Sequence, residues 1–441
     1  MTCGDGRAKV RAMGARRNFR IGVDENGLGP RLGPMIVTAV MARVTDDGAG
    51  VVERKPRGGL AKRLGDSKEM VAYGDIALAE AWARALAERG AGRSGSSYGT
   101  IDELVHAIAF EDRAKLRALC PEHIGGQCWN TIDEKFVAPD DLVGTIGDDL
   151  DKLAKKGVTI VAVRSSIVCA KRLNDGLDAG RSRFTMDLHA MEDLVIAMQR
   201  MAGEEVEAIC GKVGGFGKYS SAFGPLGGLM HSILEESRPK SVYRFPGLGD
   251  IAFVQDGDAS DLLVSLASMV GKWVREVLME RIVRHYQEWV PGLAGASGYH
   301  DPVTTKFVKA TELVRHEKRI DDDCFERRGK GGRVRPSTTT TSQIDLVLLN
   351  VRNKVEGMST ETLPLLIDAN IQARLERVAR ETGHNASALA QAVLRDFLDE
   401  SDAYDAAIQE GIDDCEAGRV VPYEDVKRDI EARLAELMAK K

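Results

Sequence analysis

The chain has 441 residues, of which 43% are hydrophobic and 29% are charged, and its formal net charge is −6. These values are typical of a soluble protein with a buried core and length enough for two or three domains. No apolar run reaches the roughly 18–20 residues of a membrane span. Residues 1–18 form a basic tail without the apolar segment of a secretory signal, so we expect a cytoplasmic protein that does not enter a membrane.

Cysteine and histidine usage excludes two classes of site. The seven cysteines include no Cys-x-x-Cys pair, and the eight histidines form no His-Glu-x-x-His motif. This distribution favours reduced thiols over a disulfide framework or a zinc site.

The strongest chemical signal is in residues 21–34, IGVDENGLGPRLGP. An apolar run ends in the adjacent carboxylates Asp24 and Glu25, a glycine-rich loop follows, and residues 35–40 form a second apolar run. We interpret this stretch as a β-hairpin with an acidic tip. Two neighbouring carboxylates at a strand end either face water or share a cation, so a surface turn and a metal site are both open.

The following segments alternate between helical and extended patterns. Apolar spacing predicts a helix over 72–89 and strands over 158–163 and 166–169. An amphipathic helix is predicted over 187–201. Its buried face carries Leu188, Met191, Leu194, Val195, Met198 and Met201.

A second group of acidic residues follows further along. Strands are predicted near 206–210 and over 251–254, and Asp256 and Asp258 lie just beyond the second. A long helix is then predicted over 262–285. On turns that could face the same site it carries Lys272, Arg275, Glu276 and Arg281.

These segments together resemble the type 2 ribonuclease H (ribonuclease HII) family over about residues 19–310, with insertions. The family opens with a strand ending in Asp-Glu and a Gly-Arg-Gly-Pro loop. Its later motifs are matched in order by Gly65-Asp66-Ser67-Lys68, by residues 255–260 (QDGDAS), by residues 267–276 (ASMVGKWVRE) and by Gly298-Tyr299. The spacing from Asp258 to Glu276 matches the family without a gap.

The resemblance implies an α/β fold with a ribonuclease H-like mixed sheet flanked by helices. It implies a metal-dependent endonuclease that cuts the RNA strand of RNA–DNA hybrids, or ribonucleotides embedded in DNA, by two-metal in-line water attack. Mg²⁺ or Mn²⁺ would be held by catalytic Asp24, Glu25 and Asp258, with Glu276 as a further metal ligand. The substrate would contact Gly27, Leu28, Gly29, Lys68, Lys272 and Tyr299.

Two departures from the family pattern bear on activity. Leu28 stands where the family loop has Arg, and Cys210 or Gly211 stands where the family has its third acidic ligand. A cysteine does not restore that ligand, because thiolates prefer softer metals. Either Asp256 or Glu276 replaces the missing carboxylate, or the site does not cut. The alternative function is then a catalytically weak or inactive nucleic-acid-binding regulator.

Residues 317–357 are predicted to be a linker, which separates a ribonuclease H-like domain over 19–316 from a module over 358–441. The module has 10 basic and 18 acidic residues, a net charge of −8. A short strand over 363–367 and helices over 369–382 and 387–400 resemble the ribbon-helix-helix fold of antitoxin-type repressors.

The module is too small to bury its apolar faces alone, so we expect a homodimer through residues 358–441. Strand alternation directs Thr362, Pro364 and Leu366 toward DNA, and none of them is the Arg or Lys that such ribbons usually present. The tail resembles the segment with which antitoxins wrap a toxin protein. DNA binding, toxin binding and dimerisation alone therefore all remain open.

Overall fold

The computed structural model describes residues 17–329, except 66–69, 72–73, 91–97, 119, 121–126 and 215–216, together with residues 372, 376 and 386. The chain divides into two units, residues 1–334 and 335–441. Thr362, Pro364 and Leu366 lie outside the described residues, as do Lys68 and the strand of the expected ribbon-helix-helix module. In the second unit the three described residues are helical.

The first unit is built on a mixed sheet of seven strands in the order β3-β2-β1-β4-β7-β6-β5. Strand β1 pairs antiparallel with β2 and parallel with β4, and β4 pairs parallel with β7. The strands are β1 (Phe19–Asn26), β2 (Met35–Val44), β3 (Val158–Val168), β4 (Val206–Gly211), β5 (Ser232–Glu236), β6 (Lys240–Phe245) and β7 (Gly249–Val254).

Helices flank this sheet, as predicted. Short 3₁₀ turns also occur, at Leu60–Lys62, Gln127–Trp129 and Gly257–Ala259. The α-helices are α1 (Asp46–Val52), α2 (Ala77–Gly90), α3 (Ile101–Ile108), α4 (Arg113–Arg117), α5 (Asp140–Lys155), α6 (Ala170–Asp178), α7 (Arg183–Ala202), α8 (Leu262–Gln287), α9 (Pro302–Ala310), α10 (Glu312–Glu317) and α11 (Asp322–Phe325). None of the described helices combines the length and apolar character that a membrane span requires.

The predicted hairpin of β1 and β2 is confirmed, and Asp24 pairs with Thr38 near its loop end. The two strands predicted over 158–163 and 166–169 are one strand, β3, because Arg164 and Ser165 continue the pairing with β2. A hydrogen bond of 2.8 Å between the hydroxyls of Thr38 and Ser165 joins β2 and β3 between the two predicted segments.

The two faces of the sheet carry separate hydrophobic cores. Helix α8 packs on one face with α2, α3 and α5, and α7 packs on the other. On α7 the predicted apolar face is buried except for Met201, which is 52% exposed. Met201 lies in the last turn of the helix, next to the left-handed Gly203 that ends it, where the helix has passed the edge of the core.

The predicted linker begins too early. Residues 317–329 belong to the fold, since α11 lies there and Phe325 is buried in a third cluster with Tyr286 and Phe307. Arg327 is also buried and donates a hydrogen bond of 2.8 Å to the carbonyl of Gly33. Charged residues in this segment also pair within the fold, as Arg328 does with Asp178.

Candidate functional site

Helix α8 runs along β1 and fixes the position of the acidic end of that strand. At Gly22 the two elements are so close that a Cβ would lie 2.2 Å from the carbonyl carbon of Leu263. Further along, a Cβ at Gly271 would lie 2.1 Å from the Asn26 side-chain oxygen. Glycine at both positions therefore allows the helix backbone to lie directly against the strand.

Asp24 lies between these two contacts and faces α8. It accepts a hydrogen bond from Ser268 of that helix. Burial raises the pKa of the Asp24 carboxyl well above its usual value, and the nearby charges of Glu25 and Asp258 raise it further, whereas the Ser268 hydrogen bond opposes the shift. A carboxyl group in such surroundings releases its proton readily only when a positive charge is near.

Asp258 reaches the same place from β7, more than two hundred residues later in the chain. The 3₁₀ turn Gly257–Ala259 follows β7, which is linked to β1 through β4 by parallel pairing, so the three strands end at one edge. The Ser265 hydroxyl of α8 donates to the Asp258 carbonyl oxygen. The structure thus places Asp24, Glu25 and Asp258 at one edge of the sheet, close enough for their charges to interact, and we call these three residues the carboxylate cluster.

The structure also decides which residue stands at the expected third acidic position. Cys210 is buried in the core on the α7 side of the sheet. Gly211 points the other way, and a Cβ there would lie 3.1 Å from Asp24 Oδ1 and 3.8 Å from Glu25 Oε2. Adjacent strand residues face opposite sides of a sheet, so the position that faces the carboxylate cluster is Gly211, which has no side chain.

Two arginines, Arg327 and Arg275, contact the glycine-rich loop that follows β1. Arg327 donates to the carbonyl of Gly27 at 2.6 Å and of Leu28 at 3.3 Å. Gly27 has φ +82°, and a Cβ there would lie 2.6 Å from Arg275 Nε. Gly29 is exposed, with open space where its Cβ would be. The loop is therefore fixed by its carbonyl groups while its tip remains accessible.

Tyr299 lies beside this loop. Its ring is 44% exposed and stacks on the Arg275 guanidinium, with 4.6 Å from the guanidinium carbon to the ring centroid. Arg275 is buried and donates a 2.9 Å hydrogen bond to the Ser297 carbonyl. One ring face is thus held by a fixed cation.

Lys272 and Glu276, which were expected to contact substrate and metal, form an ion pair with each other. Glu276 accepts hydrogen bonds from Lys272 at 2.9 Å and from Arg275 at 2.8 Å. It lies eight residues beyond Ser268, or about 12 Å along the helix. The structure therefore does not bring Glu276 to the carboxylate cluster as a metal ligand, and Lys272 is engaged within the protein. Asp256 is exposed, in a left-handed conformation with φ 52°.

The prediction missed Asp187, an acid in the second turn of α7. It is fully buried, and neither of its oxygens has a hydrogen-bond partner in the described part of the chain. Burial raises the pKa of its carboxyl well above the usual value, and the charges of Glu25 and Asp24 add to the shift. The sequence did hold a signal: Asp187 is four residues before Met191, on the apolar face of an amphipathic helix.

Within the described residues, no three His, Cys, Asp or Glu side chains already stand close enough together to hold a metal ion. Like charges repel one another, so carboxylates without a cation do not draw together into a cage. The donor set nevertheless fits a hard divalent cation, because its members are oxygen ligands. The missing side chain of Gly211 lets the Asp24 carboxyl lie close against β4, since a Cβ there would be only 3.1 Å from Asp24 Oδ1.

No model of a protein family matches the sequence, and no curated protein matches it. Among solved structures, the ribonuclease HII of Archaeoglobus fulgidus, described in complex with PCNA, is 15% identical; the match covers 74% of this chain and 98% of that chain with a TM-score of 0.31. Bst ribonuclease HIII in complex with Mn²⁺ is 13% identical, with 70% and 66% covered and a TM-score of 0.34. The ribonuclease H2 of Pyrococcus horikoshii OT3 is 13% identical, with 70% and 92% covered and a TM-score of 0.30. Similarities of this size do not by themselves establish a function.

Proposed function

We propose that this protein is a metal-dependent endonuclease of the ribonuclease HII type. Its substrate is the RNA strand of RNA–DNA hybrids, or single ribonucleotides embedded in duplex DNA. The observation that carries the proposal is the convergence of Asp24, Glu25 and Asp258 at one edge of the sheet, from segments that match the motifs of that family in order. The ribonuclease H-like character of the mixed sheet is part of the same proposal.

The carboxylate cluster is the part of the site that would hold Mg²⁺ or Mn²⁺. A divalent cation there supplies an activated water and stabilises charge on the leaving oxygen of a phosphodiester. Ser268 orients the Asp24 carboxyl through their hydrogen bond. Because α8 is in direct backbone contact with β1, the relative positions of Asp24 and Ser268 are fixed before substrate binds.

The glycine loop and Tyr299 are the surfaces that would contact nucleic acid. Recognition of RNA requires contact with the 2′-hydroxyl, and the accessible backbone at Gly29 offers hydrogen-bonding groups for it. Leu28 packs toward the α7 core and supplies no charge. The exposed ring of Tyr299 is suited to stack on a sugar or base at the junction between RNA and DNA.

The test is cleavage of a DNA duplex that contains one ribonucleotide, and of an RNA–DNA hybrid, in Mg²⁺ and in Mn²⁺. We expect cutting that a chelator abolishes, and a rate at least about 100-fold lower for Asp24→Asn because it removes a metal ligand. The matched control is Glu280→Gln, which removes an exposed carboxylate of α8 that pairs only with Arg284 in the described structure. Hybrid binding without cleavage by the wild-type protein would instead favour the regulatory alternative.

For residues 358–441 we retain the prediction of an antitoxin-like ribbon-helix-helix module. It rests on the sequence pattern, with homodimer formation and a toxin protein or DNA as its expected partners. The oligomeric state of the full chain, compared with that of residues 1–334, tests the dimer.

A further inference from the structure

Asp187 is a buried acid whose surroundings in the described residues leave its carboxyl group unsatisfied. Its exposed fraction is 0%, and neither of its oxygens has a hydrogen-bond donor among the residues that the structure describes. A buried carboxyl without donors needs either a proton or a cation to neutralise it. Glu25 and Asp24, both of the same sign as Asp187, raise its pKa further. The Asp187 charge in turn helps to raise the pKa of the Cys210 thiol and of the Tyr219 hydroxyl, which are buried on the α7 side of the sheet.

The first turns of α7 lie at the edge of the sheet where the carboxylate cluster is found. Phe184, one turn before Asp187, contacts the chain just past β4, since a Cβ at Gly214 would lie 3.1 Å from its ring. On β1, Val23 belongs to the core beneath α7, so strand alternation directs Glu25 to the same face. Asp187 therefore approaches the cluster from the side opposite α8.

The site lacks a side chain at the strand position where one would point at Asp24. That position is Gly211, whose Cβ would lie 3.1 Å from Asp24 Oδ1, so β4 contributes no carboxylate to the cluster. A buried, unsatisfied carboxyl on the neighbouring helix and a missing carboxylate on the strand are complementary.

We propose that Asp187 is the fourth carboxylate of this site, where it binds the divalent cation together with Asp24, Glu25 and Asp258 and replaces the side chain that Gly211 lacks. This inference rests on the proposed function, since it requires a cation site at the carboxylate cluster. It also gives a role to the Asp187 oxygens, which have no donor among the described residues, because a metal ligand offers an oxygen to the cation.

The first test measures Mn²⁺ binding to the full-length protein by titration calorimetry and by the Mn²⁺-induced rise in Tm. We expect Asp187→Asn, which keeps the size of the side chain, to bind Mn²⁺ about tenfold more weakly or worse. The control is Glu192→Gln on the same helix, since Glu192 is equally buried but its carboxylate accepts hydrogen bonds from the amides of Gly224 and Leu226. Its Mn²⁺ affinity is expected to stay at the wild-type value.

The outcomes separate the two proposals. If the wild type binds Mn²⁺ and Asp187→Asn binds it equally well, Asp187 is a buried neutral acid and the inference is overturned while the metal site stands. If the wild type binds no Mn²⁺, or if Asp24→Asn binds as the wild type does, the proposed function fails and the inference fails with it.

A rescue experiment distinguishes the loss of a metal ligand from a loss of folding in Asp187→Asn. Adding Gly211→Asp to Asp187→Asn places a carboxylate on the strand position that faces Asp24. We expect the double variant to regain most of the lost Mn²⁺ affinity and the Mn²⁺-induced rise in Tm. If it binds Mn²⁺ as weakly as Asp187→Asn alone, then Asp187 does not replace the side chain missing at position 211.

Discussion

Single residues in this protein owe their roles to the side of the sheet that they face. Cys210 and Gly211 are neighbours in the chain, yet one is core and the other borders the carboxylate cluster. Burial raises the pKa of the Cys210 thiol far above its usual value, and its side chain lies in the core on the α7 side of the sheet, away from the face on which Gly211 borders Asp24. The sequence named both residues as candidates, and strand alternation separates them.

Glu192 gives a prediction at the same scale. Glu192 lies on α7 with its carboxyl buried, and burial raises the pKa of this carboxyl from about 4.5 to about 7. Between these two values the folded protein keeps a proton that the unfolded chain has released. The free energy of unfolding should therefore fall as pH rises through this window, by up to about 1.4 kcal/mol per pH unit from this group.

The measurement is denaturant unfolding of the wild type and of Glu192→Gln at several pH values across that window. Other titrating groups contribute equally to both proteins, so the difference between the two slopes isolates Glu192. A glutamine variant that loses stability with pH as steeply as the wild type would contradict the assignment.

Among the elements, the contact between α8 and β1 determines the geometry of the site. Gly22→Ala would place a methyl group 2.2 Å from the Leu263 carbonyl carbon and 2.3 Å from the Val264 amide nitrogen. Backbone atoms cannot rotate away, so the helix must shift. We expect a loss of about 3 kcal/mol or more in the free energy of unfolding.

The matched control for this prediction is Gly50→Ala in α1, where a Cβ would meet open space. There the better helix propensity of alanine should stabilise the fold by up to about 1 kcal/mol. Denaturant unfolding of both variants provides the measurement. Equal stabilities would show that α8 and β1 are not in the close contact described here.

At the scale of the whole molecule, residues 317–329 are needed to complete the first unit. They bury Phe325 against Tyr286 and Phe307, and Arg327 holds the glycine loop by its carbonyl groups. A fragment ending at residue 316 would expose this apolar cluster and leave the loop without support. We expect residues 1–334 to fold alone and residues 1–316 to unfold at a clearly lower Tm or to aggregate.

Thermal melting and size-exclusion chromatography of the two fragments would check this expectation. A further comparison is Arg327→Ala in the longer fragment, which removes the loop support alone. If residues 1–316 melt at the same temperature as residues 1–334, residues 317–329 do not stabilise the first unit. The predicted domain end at residue 316 would then be correct.

The sequence by itself determined the hairpin, the long helices and the acidic residues that follow the strands. Local patterns suffice there, because apolar spacing and strand alternation depend on near neighbours in the chain. It could also have flagged Asp187, as an acid on an apolar helix face. The i, i+4 spacing of Lys272 and Glu276 also favours their ion pair, but the expectation that both residues serve the site passed over this local pairing.

The tertiary structure alone decided which groups meet. Parallel pairing of β1, β4 and β7 brings Asp258 to Asp24, and the packing of α7 and α8 on opposite faces presents Asp187 from one side and Ser268 from the other. Such contacts join residues far apart in the chain, and their energies depend on burial and on neighbouring charge. No local pattern contains those quantities, because they arise only when the sheet is assembled.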